Sequence, residues 1–268
     1  MIKVLGKTCS ILEVVVSASP QPVPLARLAE MTEINKATCS RIISDLVAEG
    51  YLRQVSRQAG FTVGDVFLSL GMRAAEGDSL IKAGMPVVHE LAERTGQMVS
   101  LVVLNRGRRC VVVSRNCDPH SRYEPHAPVC RNTLDTATGL VLLAYSGPEQ
   151  MEWARELSEG EDTPFLQEVE GKMGLKETLE KIRERGGVIQ LTTGFPSRLV
   201  IGQPVWRNGE VVAALGFSAP GGEADEAYRE WVLAAAESLS RTLSTGKEGG
   251  RMNFDVVTPE SMEKSSCP

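Results

Sequence analysis

The sequence predicts a two-domain α+β protein: a small helical N-terminal domain closed by a hairpin, a helical connector, and a larger domain built on a sheet. Three observations carry that prediction. Apolar residues recur at helical spacing as far as residue 48 and then give way to two short β-rich runs around a polar turn. At Met98 the apolar period changes from helical to strand-like. Asn208-Gly209 separates two more β-rich runs, a strong signal for a two-residue hairpin turn. With 268 residues, 42% of them hydrophobic, the chain can fill a sizeable core in its second domain, and aromatics at 5% leave that work to aliphatic side chains.

Residues 2–18 read as a leading helix that offers Leu5, Ile11, Leu12, Val15 and Val16 to a small core. Pro20, Pro22 and Pro24 then break the chain. Leu25, Leu28 and Ala29 share one face of a short second helix, and Ile42, Leu46 and Val47 one face of a longer third. Thr32, Glu33 and Ile34 form the turn between them. Asn35 is the N-cap, placed to accept from the amide of Thr38, so the third helix starts near Lys36. Glu33 stands where such turns usually carry Gly, at a small cost if its φ is positive. Gly50 ends the helix, and Tyr51 to Val55 and Phe61 to Val63 read as strands around Ser56-Arg57-Gln58-Ala59-Gly60.

Two short helices joined by a tight turn, with a hairpin behind them, describe a winged helix-turn-helix, whose partner is double-stranded DNA. Outside the apolar stripe the third helix presents Lys36, Ala37, Thr38, Ser40, Arg41 and Ser44. Short hydroxyl side chains let a helix enter the major groove deeply, while Lys and Arg reach phosphates or guanine edges. Arg53, Arg57 and Gln58 of the hairpin would lie against the sugar-phosphate backbone. The same elements could instead serve protein contacts, and salt dependence separates the two uses.

The net charge of −5 does not suggest a nucleic-acid binder, but its distribution does not oppose one. Residues 1–60 hold seven cations (Lys3, Lys7, Arg27, Lys36, Arg41, Arg53, Arg57) against five acids (Glu13, Glu30, Glu33, Asp45, Glu49), a local +2 that leaves −7 for the rest. DNA affinity follows the local field. No signal-like segment opens the chain and no apolar run reaches the length of a membrane span, so a cytoplasmic protein is expected. The six cysteines, Cys9, Cys39, Cys110, Cys117, Cys130 and Cys267, show no paired framework and are expected to be reduced, Cys39 on a buried helix face.

Residues 65–96 are helix-rich. Gly77-Asp78-Ser79 opens a helix carrying Leu80, Ile81, Val87, Val88, Leu91 and Ala92, which stops at Gly96. Met98 to Leu104 and Cys110 to Val113 are β-rich runs split by Asn105-Arg106-Gly107. A helix starts at Gly139, Leu175 to Arg185 is amphipathic, Leu199 to Trp206 and Val211 to Phe217 are strands, and Glu223 to Leu243 is a long last helix. Strands grouped around a sheet with flanking helices indicate an α+β ligand-binding domain. The domains are therefore 1–64, a connector 65–96, and 97–245, with a polar, disordered tail at 246–268.

This order of elements, with Thr136-Ala137-Thr138-Gly139, Ile182-Arg183-Glu184-Arg185-Gly186, Pro204-Val205 and Asn208-Gly209-Glu210-Val211-Val212-Ala213-Ala214-Leu215, resembles the IclR family of bacterial transcriptional regulators over residues 2 to about 245. The resemblance implies a GAF-like effector-binding domain and dimers, often paired into tetramers. It also implies palindromic operators and control by a small organic metabolite, such as a carboxylic acid. Carried over position by position, it places Ala137, Thr138, Gly139, Gln190, Arg198, Val200, Gly216 and Ser218 around the effector. Three positions depart from the family pattern: Gln190 replaces a frequent carboxylate, Val200 a frequent Cys, and Leu140 a frequent Lys. Arg198 near the amides of the Thr138-Gly139 turn would suit a carboxylate, since a guanidinium and a helix N-terminus both favour an anion.

Two other chemistries compete. Cys117-x2-His120 and His126-x3-Cys130 collect thiols and imidazoles that suit zinc, iron or haem, so a metal- or redox-sensing regulator is the alternative. Gly77-Asp78-Ser79-Leu80 matches the short string of a hydrolase class, but Asp118-Pro119-His120 has the wrong spacing for its partner and a helix cap at Asp78 or Ser79 explains the string. No phosphate-cradling Gly loop is present, and neither catalysis nor a cofactor is expected.

Overall fold

The computed structural model describes residues 3–118, 128–158, 174–192, 197–221 and 225–246. The tail that reads as disordered from the sequence lies, after Gly246, outside the described residues, as do His120 and His126.

The N-terminal domain comprises α1 (Lys3–Ala18), α2 (Leu25–Met31), α3 (Lys36–Ala48) and the antiparallel hairpin of β1 (Leu52–Ser56) and β2 (Gly60–Val63). Its core is aliphatic: Ile11, Val15, Leu28, Ile34, Cys39, Ile42, Ile43, Leu46, Leu52 and Val63 pack together. Leu5, read as a core residue, is 54% exposed, because α1 buries only Ile11 and Val15 and its first turns run past this small core. Glu33 does adopt φ 54°, so the turn places a non-glycine residue in the left-handed region. Val23 adds a bridge to Phe61, and their amides and carbonyls exchange hydrogen bonds of 2.8 and 2.9 Å that tie the segment before α2 to the hairpin.

The connector is two helices, α4 (Asp65–Gly77) and α5 (Ser79–Thr95). They part at Asp78, whose carboxylate accepts from the amides of Leu80 and Ile81 at 2.8 and 3.0 Å and caps α5. That cap is the structural content of the Gly77-Asp78-Ser79-Leu80 string. Helix α4 buries none of its side chains, whereas α5 buries Leu80, Val87, Val88, Leu91 and Ala92 against the sheet. Gly84 lets it approach: a Cβ there would strike Leu101 Cδ2. Gly96, at φ 66°, closes α5 in the left-handed conformation.

The second domain is organised on β3 (Met98–Asn105), β4 (Arg108–Asn116), β5 (Val129–Cys130), β6 (Val188–Leu191), β7 (Arg198–Arg207) and β8 (Glu210–Pro220). They form one sheet in the order β5-β4-β3-β8-β7-β6, every neighbour antiparallel. Its helices are α6 (Ala137–Ala144), α7 (Pro148–Ser158), α8 (Leu175–Arg185) and α9 (Asp225–Thr245). Strand alternation splits the apolar residues between two cores. Val99, Leu101, Leu199, Ile201, Leu215 and Phe217 meet α5 and α9, while Val102, Val188 and Ala214 meet α6 and α8. Four elements escape the sequence reading: α7, β5, β6 and a 3-10 turn at Thr133–Asp135. Among the described residues no helix is long and apolar enough to cross a membrane.

Candidate functional site

The DNA-facing candidates sit on α3 and the hairpin. Asn35 caps α3, but its side-chain oxygen accepts from Ala37 at 2.9 Å and not from Thr38 as the spacing suggests, because Asn35 reaches only to the second helical amide. Lys36, Ser40, Arg41 and Ser44 are exposed, and Thr38 is half-buried between them and the core. Arg53, Arg57 and Gln58 are exposed on the hairpin. Among the described residues Lys36, Arg41, Arg53 and Arg57 make no ion pair, whereas Arg27 on α2 is paired with Glu30 at 2.9 Å. Unneutralised cations on the two elements that a winged helix applies to DNA are what phosphate contacts require.

In the second domain, Thr136 caps α6: its Oγ1 accepts from the Gly139 amide at 3.1 Å. Helix α6 therefore begins at Ala137, two residues before the sequence-predicted start, and all eight of its residues are buried. Gly139 is required sterically, since a Cβ would strike the Thr133 carbonyl oxygen. The start of α6 rests on a cross-strand glycine pair, Gly202 and Gly216. A Cβ on Gly202 would lie 2.7 Å from the Ala137 oxygen, and one on Gly216 would lie 2.6 Å from Thr138 Cγ2 and 2.8 Å from Ser100 Oγ. Helix and sheet thus touch through backbone at this point.

Two residues along the strands, on the same face, Gln190 pairs with Val200, Val200 with Ser218, and Ser218 with Met98. The row lies immediately beyond the glycine pair, in front of the α6 N-terminus. Arg198 falls on this face as well, and its Nε donates to Ser218 Oγ at 2.9 Å. The sequence-predicted set of Ala137, Thr138, Gly139, Gln190, Arg198, Val200, Gly216 and Ser218 is thereby gathered at one end of the sheet. Val200 is half-buried against the core under α6, and the Gln190 amide donates to the Leu191 carbonyl at 2.9 Å.

The electrostatics differ from the sequence expectation in two respects. The Gly139 amide is taken by Thr136, which leaves the first-turn amides of Ala137 and Thr138 as the open donors of the helix start. Arg198 also has an acid beside it: Nη1 lies 3.8 Å from Asp118 Oδ2, with side-chain exposures of 14% and 5%. Asp118 is the residue that sequence reasoning missed. It follows β4, which places Asn116 opposite Met98 and so brings the chain to this end of the sheet. Thr192 fixes the Arg198 backbone, donating to its carbonyl at 2.8 Å and accepting from its amide at 3.0 Å. A part-buried guanidinium, a hydroxyl and open helix amides can hold a carboxylate once Asp118 yields its place.

The thiol–imidazole cluster does not assemble as a four-ligand site. Cys130 pairs with Arg109, while Cys117 follows the far end of the same strand, eight positions on, a separation of about 25 Å at about 3.3 Å per residue. Cys117 packs against the α5–α9 core and Cys130 Sγ lies 3.7 Å from the Asn132 carbonyl oxygen. No metal-binding group of His, Cys, Asp and Glu is found among the described residues. The serine of the hydrolase-like string, Ser79, is the first residue of α5 and accepts from Arg207 Nη1 at 3.3 Å.

A winged helix-turn-helix coupled through helices to an antiparallel-sheet α+β domain with a polar site at one end of the sheet defines the class: a helix-turn-helix transcriptional regulator, which binds DNA and is not an enzyme. The model described as the IclR helix-turn-helix domain matches residues 4–56, and that described as the bacterial transcriptional regulator IclR C-terminal matches residues 72–245. The chain belongs to the IclR family. It is 24% identical over 257 residues to the HTH-type transcriptional regulator BhcR of Paracoccus denitrificans, covering 93% of this chain and 90% of the relative. An IclR transcriptional regulator from Alicyclobacillus acidocaldarius superimposes with a TM-score of 0.68 at 21% identity, over 90% of this chain and 98% of that one. An IclR homolog from Microbacterium hydrocarbonoxydans, solved in complex with 4-hydroxybenzoate, gives a TM-score of 0.66 at 20% identity with the same coverage of 90% and 98%.

Proposed function

We propose that this regulator binds a small carboxylic acid in front of the α6 N-terminus, and that the ligand controls how a dimer engages a palindromic operator. The observation that carries the reading is the part-buried Arg198, bonded to Ser218 on the row that faces the open amides of Ala137 and Thr138. An anion there meets a guanidinium, a hydroxyl and a helix N-terminus together. The complex of the Microbacterium homolog with 4-hydroxybenzoate, a carboxylate, supports the same choice of ligand class. Gln190, Val200 and Gly216 would shape the remaining wall.

The DNA contacts assigned are Lys36, Thr38, Ser40, Arg41 and Ser44 in the major groove, with Arg53 and Arg57 on the flanking phosphates. The dimer is supported by α4, which exposes Val66, Leu68, Leu70 and Met72 by 38%, 52%, 57% and 67%. A second copy would cover that face, and a two-fold axis would present two recognition helices to half-sites about 34 Å apart or a multiple of it. Pairs of such dimers would form the tetramer.

The test has two arms. Fluorescence anisotropy on the protein's own upstream DNA should give an affinity that falls steeply with salt, and salt-insensitive or absent binding would remove the DNA assignments. A thermal-shift screen of small carboxylates that includes 4-hydroxybenzoate should return a hit that stabilises by about 2.7 kcal/mol at one hundred times its Kd. Loss of that shift in Arg198→Gln supports the pocket; an unchanged shift in that variant places the ligand elsewhere.

A further inference from the structure

The free edge of the sheet carries a second polar recess, which meets the row beside Arg198 only at Gln190. Strand β6 ends the sheet, so one of its edges has no strand neighbour among the described residues. Around that edge lies a cavity of about 280 Å³ between α8 and α9, lined by Thr178, Lys181, Arg185, Gln190, Gln203 and Arg229, with Ile182 and Val188 beside them. Three of its lining side chains are cations, and none is an acid. Lys181 and Arg229 are held by Glu177 and Glu226 at 3.2 and 3.3 Å, while Arg185 is exposed and makes no ion pair among the described residues.

Two of the lining polar groups are built into the fold. Thr178 is 2% exposed and its hydroxyl has no hydrogen-bond partner; Gln203 is 7% exposed. Gly187 makes room for the Gln203 amide, since a Cβ would stand 2.8 Å from both its Nε2 and its Oε1. The Nε of Arg229 is likewise buried without a partner. A buried donor left without an acceptor costs about 1–3 kcal/mol, so two donors in one cationic recess are a standing demand for an acceptor.

We propose that this recess is a second anion site, adjoining the effector pocket at Gln190 but built on Arg185 and Arg229 and not on Arg198, and that it takes a compact dianion, a phosphate or a short dicarboxylate. Its volume lies just below the range of drug-sized sites, which fits a ligand of few atoms. Arg185 and Arg229 supply the charge, and the Thr178 hydroxyl and Gln203 amide the directed hydrogen bonds.

The full-length protein is titrated by thermal shift and calorimetry with inorganic phosphate, succinate or potassium chloride at equal ionic strength. Saturable binding of phosphate or succinate near millimolar Kd is expected, the stronger of the two naming the ligand chemistry, with no saturation by chloride. Arg185→Gln combined with Arg229→Gln should weaken it at least tenfold, while Arg198→Gln leaves it unchanged. Thr178→Val should weaken binding severalfold and raise the Tm of the unliganded protein, because it deletes the orphaned hydroxyl while keeping its shape. It also serves if the double variant does not fold. Chloride matching phosphate and succinate, absence of saturation, or sensitivity to Arg198→Gln in place of the Arg185, Arg229 and Thr178 changes would overturn the proposal.

Discussion

Asp118→Asn is the sharpest perturbation of the effector pocket because it removes one charge and keeps the shape. At 3.8 Å the Arg198–Asp118 pair is worth roughly 4 kcal/mol of gross attraction at an effective dielectric of about 20. Removing one member of a buried pair costs about 3–5 kcal/mol, since the other is left uncompensated. Arg198 keeps its bond to Ser218 and 14% of its exposure, which points to the lower end, about 3 kcal/mol. The Tm of the unliganded variant should fall by roughly 6–12 °C.

The ligand should reverse much of that loss. In the native protein a carboxylate competes with Asp118 for the guanidinium; in Asp118→Asn it does not. Affinity should therefore rise by at least about tenfold, equivalent to about 1.4 kcal/mol. Calorimetric titration of the best carboxylate from the thermal-shift screen measures this directly, and the ligand-induced Tm shift should be larger in the variant than in the native chain. A lower affinity in Asp118→Asn, with Arg198→Gln binding as well as the native protein, would refute the assignment of Arg198 as the anchor.

Arg41→Ala should weaken DNA binding and reduce the slope of log K against log salt by about 0.9 if it contacts one phosphate, which anisotropy at several salt concentrations reads. Asn35→Ala removes the acceptor of the Ala37 amide and should lower stability by about 1 kcal/mol in a denaturant titration. Burial raises the pKa of the Cys39 and Cys110 thiols and of the Tyr145 phenol. Folded values above unfolded ones mean that their contribution is complete below the unfolded pKa and is lost as pH climbs through the folded one. Tm should thus fall across the alkaline thiol range, and Cys110→Ser should flatten that fall.

The N-terminal domain was legible because its determinants are local. A cap, a turn and an apolar stripe lie within a single short stretch of chain, so Asn35, Glu33 and the Ile42–Leu46 face could be placed from spacing alone. The errors there are of reach: which amide Asn35 meets depends on its rotamer, and whether Leu5 is buried depends on where the core ends. In the second domain, β6 was missed because Val188-Ile189-Gln190-Leu191 is short, and as an edge strand it leaves Ile189 and Leu191 44% and 49% exposed. Helix α7 was missed because it buries only Ala154 and Ser158, so that no apolar stripe marks it in the sequence.

The pocket shows why a family pattern supplies members of a site without its electrostatics. Gln190, Val200, Ser218 and Met98 share a row only after four strands are paired, and the pattern had encoded three of the four. Asp118 could not be read that way: its place beside Arg198 depends on the register of β4, including the irregularity between Leu101 and Val102 that shifts every later pair by one. Its presence alters what the site demands. A guanidinium with its own buried counterion is not an open anion trap; a ligand must offer Arg198 a better bond than Asp118 does, and must leave Asp118 a donor or a path to water. In the proposed function, discrimination among acids would then come from how well each meets that second demand, which is why the Asp118 variant should bind carboxylates more tightly and distinguish them less.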